Sequence, residues 1–274
     1  PLGGGGGNAT RHIALELAKM GHHPFVLTAA WRELPTAEHT GGVTIQRVPS
    51  MRQNAEQCSI PEMLAFTTSA LLSAPGWARQ WNVDAALVFF TLPCGPVGAL
   101  LKRLLKIPYC ISLQGGDVPG FDPQSLRHYH TASGPVIRAL WRDANAVVAN
   151  SEGLADLAQR FDARTKIGVI PAGVDLERFS SKQTYGERKP VELLFTGRLV
   201  KQKGLDVFFA ALGSLPPSLS WKLTLVGDGP ERRALKAQAA RLNIAERIAF
   251  TGWTNRDALP DIYRRADVFV LPSR

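Results

Sequence analysis

Short apolar runs alternate with helix-period stretches along all 274 residues, and this alternation constrains the fold more than any other feature of the sequence. Ala85 to Phe90 (AALVFF) and Tyr109 to Leu113 (YCISL) are near-continuous apolar segments, as expected of strands buried on both faces. Further strands are expected at Pro24 to Thr28, Val43 to Val48, Ala146 to Ala149, Ile167 to Ile170, Glu192 to Thr196, Trp221 to Val226, Arg247 to Phe250 and Val268 to Leu271. Helices are expected between them. Asn8 reads as the N-cap of a helix over 8–20, closed by Gly21, and others are expected over 61–74 and 96–106. A stretch over 124–143 should break or kink at Gly134-Pro135. Ser151 reads as a cap for a helix to Phe161, a helix after Gly204 runs through Ala211, Pro230 suits the first turn of the next, and 256–265 forms the last.

Repeated β-α-β units imply parallel sheets with helices on both faces. The polar segment 180–190 (SSKQTYGERKP) divides two such series. The expected organisation is a Rossmann-like domain over 1–180, a linker over 181–190 and a second α/β domain over 191–274, with a cleft between the domains.

Composition narrows the class. With 45% hydrophobic and 20% charged residues the chain is an ordinary globular protein, not a disordered one. It has no window of about 18 uncharged apolar residues, and its start lacks the basic-then-apolar pattern of a signal peptide. Cys58, Cys94 and Cys110 match neither a disulfide framework nor a zinc site, so a reducing, cytoplasmic compartment is expected. His22-His23 and His128/His130 have no metal-ligand spacing, and no metal is expected. The 32 basic and 23 acidic residues leave a net charge of +9, which favours anionic partners: phosphorylated ligands, nucleic acid or an acidic membrane face. A solvated surface with a positive bias explains the same number. The chain opens at Pro1 without Met and stops after an apparent strand, so a fragment at both ends is expected; PLGGGGG as a tag scar is the alternative.

Open α/β sheets bind ligands at the carboxyl ends of their strands. Four loops are candidates there. Gly3 to Gly7, with Gly5, Gly6 and Gly7 nearest the first helix, offers side-chain-free backbone and a helix N-terminus for an anion; a plain turn reads as well. Gly197 to Gly204 carries Arg198 and Lys203, a planar fork and a point charge suited to a diphosphate, or simply a solvated basic loop. In Gly227-Asp228-Gly229-Pro230 the glycines allow close approach, and Asp228 either meets a ligand or caps a helix; Thr251-Gly252 faces the same rim. Gln114 to Asp117, with Gly115-Gly116, opens a loop above a buried strand, where Asp117 either meets a polar ligand or closes an Asx-type turn. No Walker A loop or G-x-S-x-G elbow occurs.

Taken in order, these segments resemble the retaining GT-B glycosyltransferases of the family-4, glycogen-synthase-like kind. GGGGGNATRHIALELAKMGHHPFVLT resembles the family's opening glycine loop, helix and second strand. ISLQGGDVPG resembles its H-G-x-D loop, and ANAVVANSEGLADL with IGVIPAGVDLERF the end of its first domain. LLFTGRLVKQKGLD, LTLVGDGPERRAL and IAFTGWTNRDALPDIYRRADVFVLPS resemble the start of its nucleotide-sugar domain.

The resemblance implies transfer of a sugar from a nucleotide-diphosphate sugar to a glycan or lipid-linked acceptor, with retention at the anomeric carbon and neither cofactor nor metal. It implies that Arg198 and Lys203 hold the diphosphate and stabilise it as it leaves, with Asp117 the third catalytic residue. Gly197, Gly227, Asp228, Gly229, Thr251 and Gly252 would line the donor site, and Gly5, Gly6, Gly7, Gln114 and Gly115 the acceptor or phosphate side. Gln114 replaces the family's usual His and cannot act as an acid or base near neutral pH; Ala172 replaces its usual Asn. The family's E-x7-E segment would follow Pro272-Ser273, and its first strand would precede Pro1, so this chain is expected to be inactive or weak while its parent is active.

The competing functions are a nucleotide-sugar epimerase, a dinucleotide oxidoreductase, which lacks its G-x-G-x-x-G after a strand, and a nucleic-acid or anion-binding module, for which no motif is present. Nucleic acid is therefore not expected as a partner. Lys102, Arg103 and Lys106 on an apolar helix fit peripheral attachment to the anionic inner face of the cytoplasmic membrane.

Overall fold

The computed structural model describes residues 5–53, 58–122, 126–181 and 190–274. The chain forms two compact units, Pro1–Ala172 and Gly173–Arg274. The division falls before the 1–180 boundary expected from the polar segment. Residues just after Ala172 are held by the second unit: Arg178 pairs with Asp257 at 2.7 Å, and Phe179 meets Tyr263 edge-on. Most of the expected linker lies outside the described residues, as do Gly3 and Gly4.

The first unit begins with α1 (Gly5–Lys19), β1 (Phe25–Ala29), β2 (Ala37–Thr40) and β3 (Val43–Val48). These strands form a three-stranded sheet ordered β1-β3-β2, with β1 parallel and β2 antiparallel to β3. Strand β2 was not expected. It closes on β3 through Gly41-Gly42, both at positive φ, the two-residue hairpin turn that glycine permits. Helix α2 (Ile60–Gln80), β4 (Ala86–Phe89), α3 (Gly95–Leu105), β5 (Tyr109–Leu113), α4 (Arg127–Asp143), β6 (Ala146–Ala149), α5 (Glu152–Phe161) and β7 (Ile167–Val169) follow. Strands β4-β5-β6-β7 form an all-parallel sheet in sequence order.

The cap expected at Asn8 is not found, because α1 already runs through Gly5–Gly7. Of the break or kink expected at Gly134-Pro135, the break is not found. Helix α4 runs on because His130, Gly134, Ile137, Leu140 and Trp141 stay on one buried face. Thr131 and Ser133 donate their hydroxyls to the carbonyls of Arg127 and Tyr129, a local bonding pattern that lets a helix bend around its proline. The fully buried Tyr109 and Trp141 anchor the core, and both place their polar atoms: Tyr109 Oη lies 3.0 Å from the Leu140 carbonyl, and Trp141 Nε1 donates to Thr91 Oγ1 at 2.7 Å.

The second unit runs β8 (Val191–Thr196), α6 (Leu205–Gly213), β9 (Trp221–Val226), α7 (Arg232–Arg241), β10 (Ile248–Gly252), α8 (Leu259–Arg265) and β11 (Val268–Phe269). Pro230 precedes α7, whose N-cap is Glu231, instead of standing in its first turn. The sheet is parallel throughout in the order β10-β9-β8-β11, so the strand order reverses at β8. Phe195, Leu199, Leu205, Phe209, Leu223 and Leu225 form the centre of its core.

Candidate functional site

The loops leaving β8, β9 and β10 form one hydrogen-bonded rim at the carboxyl edge of the second sheet. Pairing of Thr196 with Val226 sets the starting register. Gly197 N–H donates to the Val226 carbonyl at 2.9 Å and Gly227 N–H to the Gly252 carbonyl at 2.7 Å. Leu199 N–H donates to the Asp228 carbonyl at 2.9 Å, and Glu231 N–H to the Leu199 carbonyl at 3.0 Å. The approach is so close that a Cβ at Gly227 (φ 128°) would stand 2.0 Å from the Gly197 carbonyl oxygen. Gly197, Gly227, Asp228, Gly229, Thr251 and Gly252 are thus brought together.

Leu199 is fully buried and pins the middle of the first loop, which leaves the preceding Arg198 exposed. Lys203 closes a 3-10 turn, Lys201–Lys203, immediately before Gly204 and the start of α6. Among the described residues neither the Arg198 nor the Lys203 side chain has a hydrogen bond or ion pair, so both remain available to an anion. On the other side of the loop, Arg274 N–H donates to the Gln202 carbonyl at 3.0 Å, so the segment after β11 also reaches it. The loop therefore lies where strand order reverses, the position at which open α/β sheets bind ligands.

Other polar side chains of the rim are already occupied. Asp228 accepts from Gly229 N–H at 2.7 Å and from Arg232 Nη1 at 2.6 Å. The Gly229 N–H bond, then the guanidinium, holds its carboxyl below the usual carboxylate range. Arg232 also donates to the Phe250 carbonyl at 3.3 Å, tying α7 to the end of β10. Thr251 Oγ1 donates to the Leu225 carbonyl at 3.1 Å. The sequence reading missed Arg232, although its i, i+4 spacing from Asp228 was a signal.

The first unit has its own rim. Asp117 is buried, and its carboxylate accepts hydrogen bonds from within the first unit. Oδ2 accepts from Thr91 N–H at 2.9 Å and Thr91 Oγ1 at 3.3 Å; Oδ1 accepts from Gln114 N–H at 2.9 Å and Gly115 N–H at 3.1 Å. The donors precede Asp117 in the chain, whereas an Asx turn bonds an N–H two residues further on, so the carboxylate closes no such turn and instead joins the loops after β4 and β5. Burial pushes the carboxyl above its ordinary range against the pull of those N–H donors. Gln114 is half-buried and donates Nε2–H to Ser112 Oγ at 2.9 Å. Gly5, Gly6 and Gly7 form the first turn of α1 instead of a free loop. Gly6 lies against the Phe90 ring, where a Cβ would stand 2.6 Å from Cε2. The glycines, Gln114, Gly115 and Asp117 therefore share the carboxyl ends of β4 and β5. Among the described residues no group of three or more His, Cys, Asp or Glu could hold a metal ion, and no helix is long and apolar enough to cross a membrane.

Two Rossmann-like units, each with loops gathered at the carboxyl edge of a parallel sheet, define the GT-B fold class of glycosyltransferases. Residues 3–178 match Glycosyltransferase Family 4 and residues 177–274 match Glycosyl transferases group 1; the chain belongs to glycosyltransferase family 4 and is a glycosyltransferase. It is 27% identical to the 2-deoxystreptamine glucosyltransferase of Streptomyces kanamyceticus over 94% of this chain and 72% of that protein. It is 24% identical to the alpha-monoglucosyldiacylglycerol synthase of Streptococcus pneumoniae over 100% of this chain and 64% of that protein. Among solved structures, Anabaena HepE in complex with UDP and glucose superposes with a TM-score of 0.69 at 19% identity, covering 99% of this chain and 72% of that one. WaaG, a glycosyltransferase involved in lipopolysaccharide biosynthesis, gives 0.64 at 18% identity, covering 98% and 72%. These structural likenesses concern the fold.

Proposed function

We propose that the second unit binds a nucleotide-diphosphate sugar and that the sugar passes to a glycan or lipid-linked acceptor with retention of anomeric configuration. The observation that carries this reading is the pair of cations, Arg198 and Lys203, without a hydrogen-bond or ion-pair partner among the described residues, on a loop locked into the rim where strand order reverses. A diphosphate there meets a planar guanidinium, an ammonium and the first N–H groups of α6. Arg198 and Lys203 stabilise the negative charge that grows on the diphosphate as the bond to the sugar breaks. The rim glycines let the nucleoside approach the backbone. Asp117 acts as a positioning residue: its buried carboxyl fixes the loops after β4 and β5 against which an acceptor lies. The nucleotide sugar is a substrate, and no step calls for a cofactor. A relative named as a glucosyltransferase and one named as a diacylglycerol glycolipid synthase support this class of reaction.

The experiment is calorimetric titration of the purified chain with UDP, GDP and ADP, repeated on Arg198→Ala and Lys203→Ala. One nucleotide should bind selectively, and each substitution should weaken it about ten- to a hundredfold, as expected for charge-assisted hydrogen bonds of about 1.5–3 kcal/mol. Undiminished binding in both variants would remove these residues from the donor site.

Attachment to the cytoplasmic membrane's inner face belongs to the same reading. Helix α2 has no charged residue from Met63 to Ala78, yet Leu64 and Leu72 are 63% and 81% exposed. Leu104 on α3, which packs beside α2, is also exposed. Of the three cations named from sequence, Lys102 is engaged by Asp143, whereas Arg103 and Lys106, on and just after α3, are exposed. Such a face suits an anionic bilayer surface.

A further inference from the structure

The loop that carries Arg198 is supported by a side chain outside the donor rim. Tyr263 on α8 shares a 2.5 Å hydrogen bond with Oγ1 of Thr196, the last residue of β8 and the neighbour of Gly197. The Tyr263 ring is fixed on two sides. Phe269 of β11 lies 5.2 Å away, and Phe179 meets it edge-on at 5.8 Å and 87°. Phe179 is itself held in a turn: its N–H donates to the Asp175 carbonyl at 2.9 Å, and Asp175 Oδ1 accepts the N–H groups of Glu177 and Arg178 at 3.1 Å each. The 2.7 Å pair between Arg178 and Asp257 ties this turn to the 3-10 turn Arg256–Ala258 leading into α8. The rings alone account for the packing. The hydroxyl adds one directional bond at the point where β8 leaves the sheet.

We infer that Tyr263 is a positioning residue for the diphosphate-binding loop, acting through Thr196. The inference rests on the donor site proposed above. Gly197 and Arg198 stand between two anchors, Thr196 and the buried Leu199. With both anchors fixed, the Arg198 backbone is ordered before an anion arrives, and less freedom is lost on binding. With the Tyr263 hydroxyl removed, the first anchor keeps only its ladder bonds.

The test uses Tyr263→Phe, which keeps the ring, with Thr196→Val, Thr196→Ser and the double variant Tyr263→Phe/Thr196→Val. Two measurements are made on the purified 274-residue chain: calorimetric affinity for UDP, GDP and ADP, and amide hydrogen exchange across 196–204 without ligand. The tightest of the three nucleotides should bind about fivefold more weakly to Tyr263→Phe and to Thr196→Val, as for loss of one hydrogen bond. The double variant should be no worse than either single one, because both remove the same bond. Thr196→Ser, which keeps the hydroxyl, should retain affinity. Exchange at Gly197 to Leu199 should rise in Tyr263→Phe while the β9 amides stay protected. Parent affinity with unchanged exchange in Tyr263→Phe overturns the inference, as do additive losses in the double variant. If the parent chain binds none of the three nucleotides, the donor reading fails by itself, and the exchange result alone decides the role of Tyr263.

Discussion

Replacing Gly227 with alanine would put one methyl group where two backbones already touch. The built Cβ lies 2.0 Å from the Gly197 carbonyl oxygen, whereas ordinary contacts to a Cβ begin near 3.4 Å. Neither partner is a side chain, so no rotamer change relieves the overlap; the loops after β8 and β9 must separate by more than an ångström. That separation breaks the short bonds from Gly197 to Val226 and from Gly227 to Gly252. The φ of 128° adds a conformational cost of about 1–2 kcal/mol for a residue with a side chain. Overpacking adds about 1–3 kcal/mol, for a total of about 2–5 kcal/mol. At roughly 4–8 °C per kcal/mol for a unit of this size, the melting transition of the second unit should fall by at least about 8 °C. Differential scanning calorimetry measures it, with Gly76→Ala as the control. Gly76 is in α2 with open space around its Cβ, so alanine there should stabilise by about 0.5–1 kcal/mol. A Gly227→Ala chain melting within about 2 °C of the parent would refute the close-packed rim.

Other outcomes follow from separate parts of the molecule. Asp162 accepts two bonds from Arg142, at 2.7 and 3.1 Å, and one from Thr165 at 2.7 Å, and the Arg142 bonds above all pull its carboxyl down to about 2. Because the folded value is depressed, its stabilisation is present above about pH 4 and is lost as pH falls through about 2; urea titrations should show the Asp162→Asn penalty shrinking across that window, and a penalty constant from pH 6 to 2 would contradict the pairing. Burial, and then Asp117, pushes the Cys94 thiol up to about 12, whereas Cys58 is exposed; iodoacetamide at pH 8 should label Cys58 and spare Cys94 until the chain is unfolded, and equal labelling would count against the buried site. Vesicles containing anionic lipid should retain the chain in flotation assays and release it with salt, and Leu64→Glu/Leu72→Glu should abolish retention; equal retention on neutral vesicles would dismiss the charged component.

Much of the architecture was readable because apolar runs such as YCISL and WKLTLV satisfy only one period, and the helices between them another. The failures have local causes. Proline looks like a stop in isolation, but five buried positions carry α4 through Pro135. Glycine has poor helix propensity, so Gly5 to Gly7 read as a loop, yet they serve as a first turn that lies close to Phe90. Strand β2 carries no apolar run, and only Gly41-Gly42 announced it. At the candidate site, residue types picked out loops that the fold gathers at strand ends, but not the state of each side chain. Loops of similar composition hold an Arg198 without a partner among the described residues, a paired Asp228 and a hydrogen-bonded Asp117, because partners such as Thr91 and Arg232 come from other elements.

Because the three loops of the second rim bond to one another through main-chain atoms, they form a single transplantable cassette. A loop exchanged alone from a relative meets a mismatched neighbour: a new 197–204 segment must still accept the Glu231 N–H and donate to Val226 and Asp228. Chimeras that exchange any of these loops therefore need 197–204, 227–231 and 251–252 moved together. Variation confined to outward-facing side chains such as Arg198 leaves this shared frame intact.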